Sequence, residues 1–268
     1  MSGPFALPPG TCDTHLHFYD AAYPTAPTTV LRPPDATVAG YRALQAELGV
    51  ERLVVVQPTT YGLDNRCQLA AMAAFGAAAR GVMVVDGATD RAELARLSAL
   101  GVRGARFHML AGGAVGWDAL EAVAERVAPF GWHIQLQMNG LELGDRLDRL
   151  RRLPVDLVVD HVGRFMPPAG VEHPGFVALL ALLGEGRTWV KLSAPYESSP
   201  DLEAVLPLVD ELVRTHPDRL VWATNWPHPG QAAPPSPQRL AELCHRWLPT
   251  VALRHRVLVD NPAVLYGF

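Results

Sequence analysis

At 268 residues the chain is long enough to bury one large core. Its 49% hydrophobic and 19% charged residues suit a globular domain and exclude wholesale disorder. A net charge of −4, with no Lys/Arg run, excludes a nucleic-acid-binding stripe and leaves a small molecule as the expected partner.

Eight short segments rich in β-branched and apolar residues recur, each followed by a helix-length, Ala/Leu-rich stretch. In chain order the expected strands lie near Thr11–His17, Arg52–Gln57, Gly81–Val85, Gly104–His108, Trp132–Gln137, Asp156–His161, Trp189–Ser193 and Leu220–Thr224. Continuous apolar interiors such as Leu53-Val54-Val55-Val56 suit strands buried on both faces of a parallel sheet. Between them, Asp118–Phe130 repeats apolar residues at Leu120, Val123, Val127 and Phe130, a helical spacing. Asp90 and Asp118 are expected N-caps, and Gly101 and Gly131 expected C-terminal glycines. Alternation without a break in composition predicts an α/β fold of one domain over 1–268, a single (β/α)8 TIM barrel, for which ~250 residues is typical. Two loops are longer than usual, 18–37 and the proline-rich 226–237, as lids or binding loops often are.

Cys12, Cys67 and Cys244 form no CxxC spacing, so they read as small buried hydrophobes rather than disulfides or zinc ligands. The Met1–Pro9 segment lacks the basic and apolar regions of a signal peptide, and no stretch approaches the ~20 apolar residues that span a bilayer. A cytoplasmic location without a membrane partner is expected; the oligomeric state stays open. Lys191 is the single lysine in an arginine-rich chain.

In such a barrel the active site lies at the C-terminal ends of the strands. There the sequence places His15 and His17, Gln57 followed by Tyr61, Arg106 and His108, and Gln137. Further round come His161 with Arg164, Lys191 and Ser193 with Tyr196, and Asn225 followed by Trp226 and His228. His15 and His17, two apart on a strand, point the same way. Asp160, adjacent to His161, is expected to face the other side and to fix a loop or helix start. His133 lies at a strand start, away from the site.

Asp13-Thr14-His15-Leu16-His17 resembles the HxH signature of the amidohydrolase superfamily. Val56-Gln57-Pro58-Thr59-Thr60-Tyr61-Gly62, Val159-Asp160-His161-Val162-Gly163-Arg164, Thr224-Asn225-Trp226-Pro227-His228 and the closing Asp260–Phe268 segment narrow the resemblance. They look like the branch that holds 2-pyrone-4,6-dicarboxylate lactonase and D-galactarolactone isomerase. The resemblance covers nearly the whole chain and implies ring opening of a carboxylated lactone. His15, His17 and His161 would then be the candidate donors to the carbonyl oxygen, with Arg106 and Arg164 as carboxylate clamps. Gln57, Tyr61, His108, Gln137, Lys191, Ser193, Tyr196, Trp226 and His228 are expected around the substrate.

Metal-dependent members add a strand-four lysine or glutamate, a strand-five histidine and a strand-eight aspartate. This chain has Arg106, Gln137 and Asn225 there, so no cofactor is expected; if a zinc is bound, His15, His17 and His161 are its ligands. The lactonase branch is expected to use the strand-eight aspartate as a base, and a carboxamide has no such basicity. Asn225 therefore leaves open a hydrolase with a histidine base, an isomerase that moves the acyl group within a sugar-acid lactone, or a form inactivated at this position.

Overall fold

The computed structural model describes residues 5–268; the first four residues of the segment read above for a leader lie outside them. Eight strands form one parallel sheet in sequence order: β1 (Cys12–Leu16), β2 (Arg52–Val56), β3 (Ala79–Met83), β4 (Val102–His108), β5 (His133–Gln137), β6 (Leu157–Val159), β7 (Thr188–Leu192) and β8 (Leu220–Trp222). The sheet closes on itself beyond β8, where Asn225 N–H donates to His15 O at 2.9 Å and His17 N–H to Trp226 O at 2.8 Å. The result is a single (β/α)8 barrel.

Helices α1 (Val38–Leu48), α2 (Arg66–Phe75), α3 (Arg91–Ala99), α4 (Leu120–Val127), α5 (Leu143–Arg151), α6 (Pro174–Gly184), α7 (Leu206–Thr215) and α8 (Pro237–Trp247) follow the strands in turn. Two short ones, α9 (Val251–His255) and α10 (Asn261–Tyr266), end the chain. Asp90 caps α3 by accepting from Glu93 N–H at 2.7 Å. Asp118 does not cap α4: a 3-10 turn over Trp117–Ala119 intervenes, and Ala119 takes the cap position. Gly131, at φ 68°, ends the following turn in the left-handed conformation that glycine adopts without steric cost.

Four strands sit otherwise than the apolar runs suggest: β4 begins two residues early, at Val102, β8 ends two residues early, at Trp222, and β3 and β6 also differ. β3 begins two residues early, at Ala79, and β6 ends at Val159 rather than His161. The reason at β6 is local: His161, Val162 and Arg164 take φ of 54°, 56° and 53°, which no strand can contain.

The barrel interior has two layers. Below, Cys12, Val54, Val56 and Val82 pack on Tyr266, and Val158, Trp189 and Val221 pack on Leu265, so α10 seals the N-terminal face with apolar groups. Above them the inward residues turn polar, beginning with Gln135, Asp160 and Lys191. The larger apolar cluster fills the space between sheet and helices.

Candidate active site

Side-chain alternation decides what reaches the upper layer. On β2, Val54 and Val56 point in, so Gln57 points out. On β1, Cys12 belongs to the inner cluster, yet His15 and His17 also face inward. A register irregularity between Asp13 and Leu16 supplies the change of phase. On β6 Val158 faces in and so does Asp160; the left-handed backbone that follows then swings His161 inward as well.

The floor is a fully buried ionic network. Lys191 Nζ donates to Gln135 Oε1 at 2.6 Å and Thr14 O at 2.9 Å, and lies 3.3 Å from His15 Nδ1 and 3.5 Å from Asp160 Oδ1. Asp160 also meets His15 Nδ1 at 3.2 Å and accepts from Gln135 Nε2 at 3.0 Å. Burial alone would push the Asp160 carboxyl up; the surrounding charge, with the Lys191 ammonium 3.5 Å away, outweighs it and holds it well below the usual carboxylate range. Burial pushes the Lys191 ammonium down to about 8, against the pull of Asp160, so it stays charged at neutral pH.

Above the floor stand the histidines. His15 and His17 meet Nε2 to Nε2 at 3.2 Å, a contact that needs one hydrogen. His17 spends its own on Val56 O, 2.7 Å from Nδ1, so the shared hydrogen sits on His15. His161 Nδ1 pairs with Ser193 Oγ at 2.8 Å. Burial holds all three imidazoles below their ordinary pKa, and therefore neutral.

Over these residues opens a cleft of about 120 Å³, whose lining includes His17, Tyr19, Arg106, His108, Gln137, His161, Glu197 and Asn225. Arg106 is buried; its guanidinium donates to Gln57 O at 2.5 Å and Gln137 Oε1 at 2.9 Å, while its Nε has no partner among the described residues. Gln137 Oε1 also meets His108 Nδ1 at 3.1 Å. Asn225 donates from Nδ2 to the Tyr196 hydroxyl at 2.8 Å, and its buried Oδ1 is without a partner among the described residues.

A buried cation facing a cleft, with neutral imidazoles and a carboxamide around it, can bind an anionic group and polarise a carbonyl. The family model "Amidohydrolase" matches residues 12–268. The chain belongs to the amidohydrolase family. It is 38% identical to D-galactarolactone isomerase of Agrobacterium fabrum (strain C58 / ATCC 33970), over 97% of this chain and 92% of the relative. It is 35% identical to 2-pyrone-4,6-dicarboxylate hydrolase of Comamonas testosteroni, over 98% and 92%. The apo crystal structure of an Agrobacterium tumefaciens protein superposes with a TM-score of 0.92 at 37% identity, covering 98% of this chain and 97% of that one.

Against this amidohydrolase site the expected residues divide. His17, His161, Asn225, Arg106, His108 and Gln137 meet at the cleft, with His15 directly beneath. Others expected around the substrate support it from behind. Gln57, facing outward, donates to Gly62 O and Asp64 O, both at 2.9 Å, and holds the loop after β2. The Tyr61 hydroxyl accepts from Asp20 N–H at 2.8 Å and donates to Asp20 O at 3.1 Å, tying down the loop 18–37. Lys191 lies under the histidines, fully enclosed, because β7 carries it one inward step below Ser193. Ser193 orients His161, and Trp226 packs edge-on against Phe18, with ring centroids 5.6 Å apart, rather than lining the cleft. Arg164, in left-handed backbone, pairs with Glu197 at 3.4 Å, and it is Glu197 that reaches the cleft. Tyr196 and His228 stand behind Asn225.

Asp160 is the main correction: it faces inward and joins His15 and His161, so the three side chains that could share one ion are His15, Asp160 and His161, without His17. Strand parity, counted from Val158, carried that signal. Sequence reasoning also passed over Tyr19, Thr59, Leu31, Glu197 and Pro229, all from loops. The unusual length of the 18–37 and 226–237 segments was the trace of Tyr19, Leu31 and Pro229; Thr59 and Glu197, after β2 and β7, lie in neither.

Proposed function

We propose that this amidohydrolase acts on a carboxylated lactone by acyl transfer at the ring carbonyl, without a metal. The observation that carries the reading is Arg106, a buried guanidinium in the cleft with no carboxylate hydrogen-bonded to it among the described residues, beside neutral histidines and Asn225. The guanidinium binds the substrate carboxylate, and its positive charge polarises the adjoining lactone carbonyl. A hydroxyl oriented at Asn225 attacks the carbonyl carbon; the carbonyl π electrons move to the oxygen, and the hydroxyl proton passes to His161 Nε2. That nitrogen is free when Nδ1 donates to Ser193. Collapse breaks the ring C–O bond, and His161 returns the proton to the departing alkoxide.

A divalent ion suits the donor set poorly. Lys191 and Arg106 already place two buried cations around Asp160, and Lys191 stands within 3.5 Å of two of the three donor side chains. Adding two further positive charges there is costly. The three buried free thiols fit a cytoplasmic location, and no described helix is long and apolar enough to cross a membrane.

With water as the attacking hydroxyl the outcome is hydrolysis. A hydroxyl of the substrate itself gives isomerisation, and Asn225 favours this second reading. Intramolecular attack has an effective concentration of roughly 10⁵ M or more, which compensates for a weak base. Turnover of sugar-acid and pyrone-type lactones in H2(18)O separates the two: label in the product marks hydrolysis, and label-free rearrangement marks isomerisation. No turnover of either lactone class would sink the proposal.

A further inference from the structure

Beneath the cleft, Asn225 ends a relay whose direction has a chemical consequence. Asn225 and His228 both take left-handed backbone, with φ of 61° and 64°, and His228 N–H donates to Asn225 O at 2.7 Å. This tight turn holds the two side chains on either side of the Tyr196 hydroxyl, 2.8 Å from Asn225 Nδ2 and 2.9 Å from His228 Nδ1. The phenol has one hydrogen. Burial holds the His228 imidazole down to about 4, so it is neutral and bears one hydrogen; with that hydrogen on Nε2, Nδ1 has a lone pair and takes the hydrogen of the phenol. The phenol oxygen is then an acceptor, and it is satisfied by the Asn225 N–H. What remains is the carboxamide oxygen, buried and unpartnered in a residue that lines the cleft.

We infer that Tyr196 and His228 are positioning residues: they fix the Asn225 carboxamide with its oxygen toward the substrate, so that Asn225 accepts a hydrogen bond from the attacking hydroxyl. A carboxamide has a donor end and an acceptor end of nearly equal size, and packing alone does not choose between them. Rotated by 180°, the amide would set its oxygen against a phenol oxygen whose hydrogen is already given to His228, and two acceptors would face each other. An acceptor presented to the cleft holds a hydroxyl by its hydrogen and turns the oxygen lone pair toward the carbonyl carbon. A donor there would hold that same lone pair and block attack. Asn225 thus aligns the nucleophile, while the proton leaves to an imidazole.

The inference rests on the lactone reading for its chemistry, though not for its first test. In 15N-labelled protein the ring shifts of His228, assigned by their loss in His228→Asn, report which nitrogen bears hydrogen. Hydrogen on Nε2 with a bare Nδ1 is expected. Hydrogen on Nδ1 would mean the relay runs the other way, with the amide N–H toward substrate, and would overturn the inference.

The second test is kinetic. Tyr196→Phe should lower kcat roughly tenfold with KM little changed, because the amide loses the partner that orients it. In an Asn225→Asp background both side-chain oxygens accept, orientation no longer matters, and the same Tyr196→Phe change should cost less than about threefold. Equal losses in the two backgrounds would show that Tyr196 acts through packing and would overturn the inference. A wild-type protein inert toward every lactone would refute the proposed function instead, with the tautomer measurement still deciding the relay.

Discussion

Arg106 shows how one side chain sets the character of the cleft. Its guanidinium is 5% exposed, and burial lowers its pKa without discharging it. The hydrogen bonds it makes, to Gln57 O and Gln137 Oε1, are to neutral acceptors. Replacing Arg106 by Met keeps the stem and removes the charge. A hydrogen bond to a charged group contributes about 1.5–3 kcal/mol, so KM for a carboxylated lactone should rise roughly 10- to 100-fold, with kcat less affected. Steady-state kinetics on a carboxylated lactone and its methyl ester checks this; equal KM changes for both would remove Arg106 from carboxylate binding. Glu197 also lines the cleft, where it pairs with Arg164 at 3.4 Å.

At the scale of elements, the seam between β1 and β8 decides whether the site exists. Asp13, fully buried on the outward face of β1, accepts from Thr224 N–H at 2.9 Å, the Thr224 hydroxyl at 2.5 Å and the Tyr41 hydroxyl of α1 at 3.1 Å. One carboxylate thus joins β1, the end of β8 and α1, and sets where Asn225 begins. Asp13→Ala leaves these donors buried without an acceptor, at a cost of about 3 kcal/mol or more. For a chain of this size that corresponds to a Tm lower by roughly 6–12 °C, readable by calorimetry. A Tm within about 2 °C of wild type would mean the seam is held by other contacts.

The whole molecule carries its polar layer at a price in acid. Burial holds His108 and His133 down to about 3 and His228 to about 4, and depresses His15, His17 and His161 as well. An unfolded histidine binds its proton near 6.5. Each depressed group therefore contributes stability that is present above pH 6.5 and lost as pH falls toward the folded value. Asp13 works in the opposite sense: burial raises it to about 6, so its contribution is present below 3.8 and lost as pH rises through 6. These histidines against one aspartate predict a Tm that is level from pH 6.5 to about 8, where Lys191 begins to titrate, and that falls steadily toward pH 4. His108→Gln should flatten that fall; a pH-independent Tm, or an unchanged slope in the variant, would contradict the assignment.

Much of this protein was legible in its residues. The eight apolar runs, the histidines of the first strand and the Arg, Gln and Asn at the ends of β4, β5 and β8 follow from composition, spacing and one rule about barrels. The family follows too, because its motifs are contiguous in the chain. What tertiary structure alone decided is direction. Three residues expected at the substrate, Gln57, Tyr61 and Lys191, turned out to hold loops or the floor, and Asp160 faced the site instead of away from it. A register irregularity in β1 and the left-handed turn after β6 reset the alternation on which such readings depend. Neither is written in the residue types of the strands themselves. The Asn225 relay is of the same kind: Tyr196 and His228 are near one another only because the loops after β7 and β8 meet over the barrel mouth.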